Sequence, residues 1–151
     1  MINKMPFSST IPTLVQEDIL SKGTENSFCH VYRVAKYGEL NEVTFLNSFE
    51  ESIYENRKPK IDISNIVGSF STSCYLSIFV PKKFMNFLKA RYRKKYPKVQ
   101  IIEGYTVCGL SQLTCERIPD YPEKDHVDWW IYKDSLNEVA NRFTFIEDGG
   151  E

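Results

Sequence analysis

Three stretches of the chain set polar, chemically capable side chains among residues typical of strands. In residues 28–36, strand alternation puts Cys29, Val31, Arg33 and Ala35 on one face, so Arg33 is its only charge. An arginine there snorkels to an edge, pairs with a carboxylate, or faces a cleft holding an anion; its planar fork suits phosphate or carboxylate. In residues 66–80, Ser69, Ser71, Ser73 and Ser77 share a face with Val67 and Tyr75. That row of hydroxyls is either a solvated strand face or a floor against which a ligand lies. In residues 126–132, His126, Asp128, Trp130 and Tyr132 stand opposite Val127, Trp129 and Ile131. Imidazole and carboxylate suit acid–base work, and the two rings suit stacking. The plainer alternative is an exposed strand with Trp130 under a loop and Asp128 solvated.

Tyr32-Arg33 at the end of one strand and Phe70-Ser71-Thr72-Ser73 on a later one resemble part of the arginine–serine–glutamate pattern of the ADP-ribosyltransferases. The strand–helix–strand–helix order between them is similar too. The resemblance implies NAD as the bound dinucleotide. It offers Arg33 for the phosphates and Ser71 for positioning the arginine and the nicotinamide ribose, with Thr72 and Ser73 beside it. The family's Glu-x-Glu or Gln-x-Glu element has no counterpart here. His126-Val127-Asp128 stands in its place, with a carboxylate one methylene shorter to stabilise an oxocarbenium-like transition state. On this view Asp128 and His126 are catalytic, Trp130 or Tyr132 stacks on a ring, and Arg33, Ser71 and Asp128 converge on one concave pocket. A degenerate relative would keep the cleft without the catalysis.

Charge is distributed unevenly. Residues 82–98 hold eight basic side chains (Lys82, Lys83, Lys89, Arg91, Arg93, Lys94, Lys95 and Lys98) and no acid. Eight acids lie between Glu17 and Glu55 and eleven between Glu103 and Glu151. A basic amphipathic helix can track nucleic-acid phosphates, sit on anionic lipid or dock on an acidic protein. It can equally be a solvated face neutralised by acids of the same domain. A non-catalytic regulatory or defence-associated protein would bind its protein or nucleic-acid partner here, through Lys89, Arg91, Arg93, Lys94 and Lys95.

The elements that must position these groups follow from periodicity. Helices are predicted over residues 12–21 (stripe Leu14, Val15, Ile19), 41–54, 81–96 (stripe Phe84, Leu88, Tyr92) and 135–142. Strands are predicted over 28–36, 66–80 (one, or two with a bend), 99–107, 110–117, 126–132 and 143–146. The sum is a single α+β domain: a central twisted sheet, mixed or antiparallel, of about five or six strands with three or four short helices. Residues 1–9, 56–65 and 148–151 are expected to be flexible.

At 151 residues the chain fits one domain that buries roughly two-thirds of its unfolded surface. Its formal net charge of −1 excludes a strongly basic nucleic-acid binder overall, though not a local patch. No apolar run is long enough for a membrane span, and nothing at the start resembles a secretory signal, so a cytoplasmic protein is expected. Cys29, Cys74, Cys108 and Cys115 form no CxxC. They are expected to be reduced, mostly buried thiols; with His30 their spacing matches no zinc finger, and no metal is expected.

Overall fold

The structure, a computed structural model, describes residues 6–24 and 30–146. Six antiparallel strands form one sheet: β1 (His30–Ala35), β2 (Thr72–Tyr75), β3 (Gln100–Tyr105), β4 (Gly109–Leu113), β5 (His126–Ile131) and β6 (Thr144–Phe145), in the order β4-β5-β2-β1-β3-β6. Five helices surround it: α1 (Thr13–Lys22), α2 (Ser48–Tyr54), α3 (Phe79–Arg91), α4 (Thr114–Arg117) and α5 (Leu136–Ala140). No helix among the described residues is long and apolar enough to cross a membrane.

Register decides which side chains share a face. Cys74 is opposite Val127 and Thr72 is opposite Trp129, so one face carries Val31, Ala35, Cys74, Ile102, Val127 and Trp129. Phe45, Val139 and Phe143 cover it, with the Phe143 ring stacked on Trp129. Gly104 lets that ring approach; a Cβ there would collide with it. The other face holds two smaller apolar clusters. Trp130 and Leu110 pack with Ile19, Phe70 and Phe7 at the β4–β5 end, and Leu88, Tyr96 and Val99 pack at the β1–β3 end. Between these clusters the same face carries Tyr75, His126 and Asp128, aligned by the pairs Tyr75–His126 and Ser73–Asp128.

Several expected elements change. Residues 66–80 are not one strand: 3-10 turns occupy Ile63–Asn65 and Val67–Phe70, and only Thr72–Tyr75 is extended. Side chains compete with the ladder here, since Asn65 Oδ1 accepts the Gly68 amide and Ser69 Oγ accepts the Asp62 amide. Of the four serines only Ser71 and Ser73 keep a common face, the one that carries Asp128. The expected 41–54 helix divides into a 3-10 turn, Glu42–Phe45, and α2, each started by an asparagine capping box at Asn41 and Asn47. Helix α3 begins at Phe79, with Pro81 in its first turn where a missing N–H costs nothing. It packs through Pro81, Met85 and Leu88, which leaves Phe84 and Tyr92 exposed. In α1, Leu14 is exposed and Gln16 is buried with Ile19. The expected 110–117 strand ends at Leu113, and α4 takes its last residues. Residues 6–9, expected to be loose, bring Phe7 into the core, and the Pro6 carbonyl accepts the Lys133 amide. Cys74 is buried, Cys108 and Cys115 are half-buried, and Cys29 lies outside the described residues.

Strand β1 leaves the sheet through a turn that needs Gly38, at φ +69°, a left-handed conformation unfavourable for side chains. The turn feeds an ionic knot. Glu55, its side chain 1% exposed, accepts hydrogen bonds from Tyr37 (2.6 Å), Tyr96 (3.0 Å) and Arg57 (2.8 Å), with Lys36 at 3.6 Å. Burial alone would raise its pKa; the hydrogen bonds from Tyr37, Arg57 and Tyr96 and the charge of Lys36 outweigh that and hold it at about 2. The folded value lies below the ordinary 4.5, so this stabilisation is complete above pH about 4.5 and is lost as pH falls towards 2. Glu55→Gln should lower the urea midpoint at neutral pH and flatten the acid limb of the stability profile; equilibrium unfolding across that range is the check.

Candidate functional site

The polar strip between the two apolar clusters is built from three directions. Asp128 projects from the middle of β5 and is 1% exposed. Ser71, just before β2, donates to its Oδ1 at 2.6 Å. On the other side the β4 alternation continues past Gln112, the cross-strand partner of Asp128, to Thr114. Thr114 Oγ1 lies 2.8 Å from Asp128 Oδ2 and 2.6 Å from His126 Nδ1. One turn later, Arg117 reaches back to Asp128 Oδ2 at 2.6 Å, to Asn65 Oδ1 at 2.7 Å and to Gln112. Its guanidinium also lies over the Trp130 ring, 5.8 Å from the centroid.

These contacts fix proton positions. The Thr114 hydroxyl has one proton, and with a carboxylate at 2.8 Å it goes to Asp128. His126 Nδ1 therefore carries the proton shared with Thr114 Oγ1, and Nε2 holds the lone pair. Burial lowers the imidazole below its ordinary pKa, against opposing pulls from Asp128, Glu123 and Asp125. Tyr75 and Tyr121 enclose the ring at 5.0 and 5.2 Å.

The catalytic roles expected of Asp128 and His126 meet a steric obstacle. Both side chains are buried, and Asp128 already accepts three protein hydrogen bonds. A substrate oxygen or sugar ring has no approach to that carboxylate. Nor is this the arrangement of a nucleophilic triad, because threonine lies between histidine and carboxylate, whereas a triad places histidine in the middle. The geometry is that of a satisfied buried network, which fastens β5 to the turn around Asn65 and to α4.

The other expected site residues divide between two further places. Ser71 is fully buried in the network. Arg33 is on the opposite face of the sheet from Asp128, with Nε donating to the Thr44 carbonyl (3.0 Å) and Nη1 to the Ser73 carbonyl (2.5 Å). It lines a cleft of about 340 Å³ together with Ser73, but without Ser71 or Asp128. The convergence of Arg33, Ser71 and Asp128 that the resemblance implies is therefore not built. Trp130 is 1% exposed and donates to the Val67 carbonyl at 2.9 Å, which makes it core rather than a stacking platform. Tyr132 borders a separate cavity of about 400 Å³ whose lining also includes Trp130, Phe70, Leu46 and Glu50.

The basic segment keeps its predicted exposure. Lys89 and Arg91 close α3, and Arg93, Lys94 and Lys95 follow in the next turn, all exposed. None of the eight cations of residues 82–98 has a carboxylate partner among the described residues. Beside them Phe84 and Phe87 stack at 6.5 Å, and Tyr92 meets Phe87 edge-on at 5.8 Å. All three rings are at least 38% exposed.

Thr114, Arg117 and Asn65 were not singled out from the sequence. For Thr114 a signal existed, since it continues the alternation that begins at Leu110 and Gln112. For Arg117 and Asn65 none did, because their partners are distant in sequence. No family model, curated protein or solved structure matches this chain.

Asp128→Asn leaves Arg117 nearly buried beside a neutral amide and should cost about 3 kcal/mol of stability, measured by urea unfolding. The lowered folded pKa of His126 makes its contribution full above the ordinary value of 6.5 and progressively lost as pH falls below it. His126→Gln should remove that part of the pH slope; an unchanged slope in thermal melts from mildly acidic to neutral buffer would contradict the assignment.

Proposed function

We propose that the protein is a non-catalytic binding module that takes single-stranded nucleic acid on the outer flank of α3 and the basic turn that follows it. The observation that carries this is that none of the eight cations of residues 82–98 has a carboxylate partner among the described residues, and that three solvent-exposed rings lie beside them. Acids elsewhere in the domain balance the total charge, but among the described residues none pairs with these side chains, so their field is open to a partner.

The partner's class follows from the rings. Cations alone would suit any polyanion, and duplex phosphates would need no aromatic surface. Phe84, Phe87 and Tyr92 offer faces and edges on which unpaired bases stack, while Lys83, Arg91 and Lys94 can follow the phosphates. A lipid surface fits less well. Helix α3 packs its aliphatic stripe, Pro81, Met85 and Leu88, on the sheet, and its exposed rings are interspersed with Lys82, Lys83, Asn86 and Lys89.

Fluorescence anisotropy with labelled single strands, duplexes and anionic vesicles separates these cases. Single strands should bind preferentially, with affinity falling roughly 50-fold between 50 and 200 mM salt if four phosphates are contacted. Phe87→Ala should weaken binding roughly 5- to 100-fold. Joint reversal of Lys89, Arg91 and Lys94 to Glu should abolish binding without changing the melting temperature. Salt-independent binding, or a preference for duplex or vesicles, would overturn the proposal. A melting temperature raised by millimolar NAD, with the rise lost in Arg33→Ala, would instead favour the nucleotide expectation.

A further inference from the structure

Strands β1 and β2 share one cross-strand pair, Tyr32–Tyr75, and then part. The gap between them opens into the cleft of about 340 Å³ that Arg33 and Ser73 line. Its charges are arranged in a specific way. Lys36 and Glu51 both border it, and they neutralise each other at 2.9 Å. That leaves one cation and one anion, Arg33 and Glu123. They are not paired with each other or with any other charged side chain among the described residues.

Arg33 is held rigidly, because its Nε and Nη1 are fixed by the Thr44 and Ser73 carbonyls. Nη2 makes no hydrogen bond among the described residues. The Ser73 and Tyr75 hydroxyls, on residues of the same lining, likewise have no hydrogen-bond partner there. A fixed guanidinium with free N–H groups is a preorganised donor site for a carboxylate. One wall of the cleft, formed by Val34, Val80, Pro81 and Phe84, is apolar.

We propose that this cleft binds a small zwitterion with an apolar side chain, of the class of a free hydrophobic amino acid. Its carboxylate lies against Arg33, its ammonium group faces Glu123, and its side chain rests on the Pro81–Phe84 wall. A simple anion would leave Glu123 opposing it, and a simple cation would leave Arg33 uncompensated. A ligand bearing both charges matches the two charged side chains of the lining that have no ionic partner among the described residues. The proposal rests on other observations than the nucleic-acid reading, with which it shares only Phe84.

The test is isothermal titration with L-phenylalanine and two analogues, phenylalaninamide, which lacks the carboxylate, and N-acetylphenylalanine, which lacks the ammonium. Phenylalanine should bind saturably in the millimolar range or tighter, and each analogue at least roughly tenfold more weakly, as expected when one charged contact is lost. Glu123→Gln should reduce phenylalanine binding by a similar factor while leaving the melting temperature and N-acetylphenylalanine binding unchanged. Arg33→Ala removes a structural contact as well, so Glu123→Gln is the decisive variant. No saturable binding of phenylalanine, equal binding of all three compounds, or wild-type affinity in Glu123→Gln would each overturn the proposal.

Discussion

A buried strand cannot leave its carbonyls without donors, and β2 has two that β1 does not serve. After the single Tyr32–Tyr75 pair, the Ser73 carbonyl takes the Arg33 guanidinium, and the Ser71 carbonyl takes the amide and hydroxyl of Ser48. Thr72 Oγ1 in turn donates to the Phe45 carbonyl. Residues 44–48 are thereby drawn against the edge of β2 as a substitute strand. Phe45 enters the core because of it, and the start of α2 is set by the same contacts. The cleft is the space left beside this substitution. An arginine that looks like a ligand-binding residue in isolation is first of all a replacement for backbone amides.

The network around Asp128 follows a similar logic one strand away. A carboxylate buried in the middle of β5 must be fully partnered or it destabilises the sheet. Its donors come from two separate segments, Ser71 just before β2 and Thr114 and Arg117 of α4. Only a fold with those segments in place can bury it, so the network ties local pairing to global topology.

Legibility in the sequence varied with the range of the forces involved. Strand β5 was readable because Val127, Trp129 and Ile131 alternate with His126, Asp128 and Trp130, and the strand lies where that pattern puts it. Its second face was misread as open, because what covers it comes from residues 7–19, 65–71 and 114–117. The 66–80 segment shows the converse. Serines and threonines compatible with a strand instead bond to nearby backbone, and three-residue hydrogen bonding wins over alternation. For α3, the stripes Phe84–Leu88–Tyr92 and Pro81–Met85–Leu88 share Leu88 and are equally periodic. Periodicity cannot choose between them; packing on Val34 and Val99 does. The single α+β domain and the exposed basic segment survive because composition and charge determine them locally.

The segregation of charge also bears on how the molecule behaves among its own copies. With a net charge of −1, monopole repulsion between molecules is nearly absent, while the exposed cations of residues 82–98 form a positive patch that an acidic surface of another copy can meet. Two such molecules attract when aligned head to tail, and the attraction is screened within about 10 Å at moderate ionic strength. Solubility in dilute buffer is therefore governed by orientation rather than by net charge, and added salt dissolves rather than precipitates.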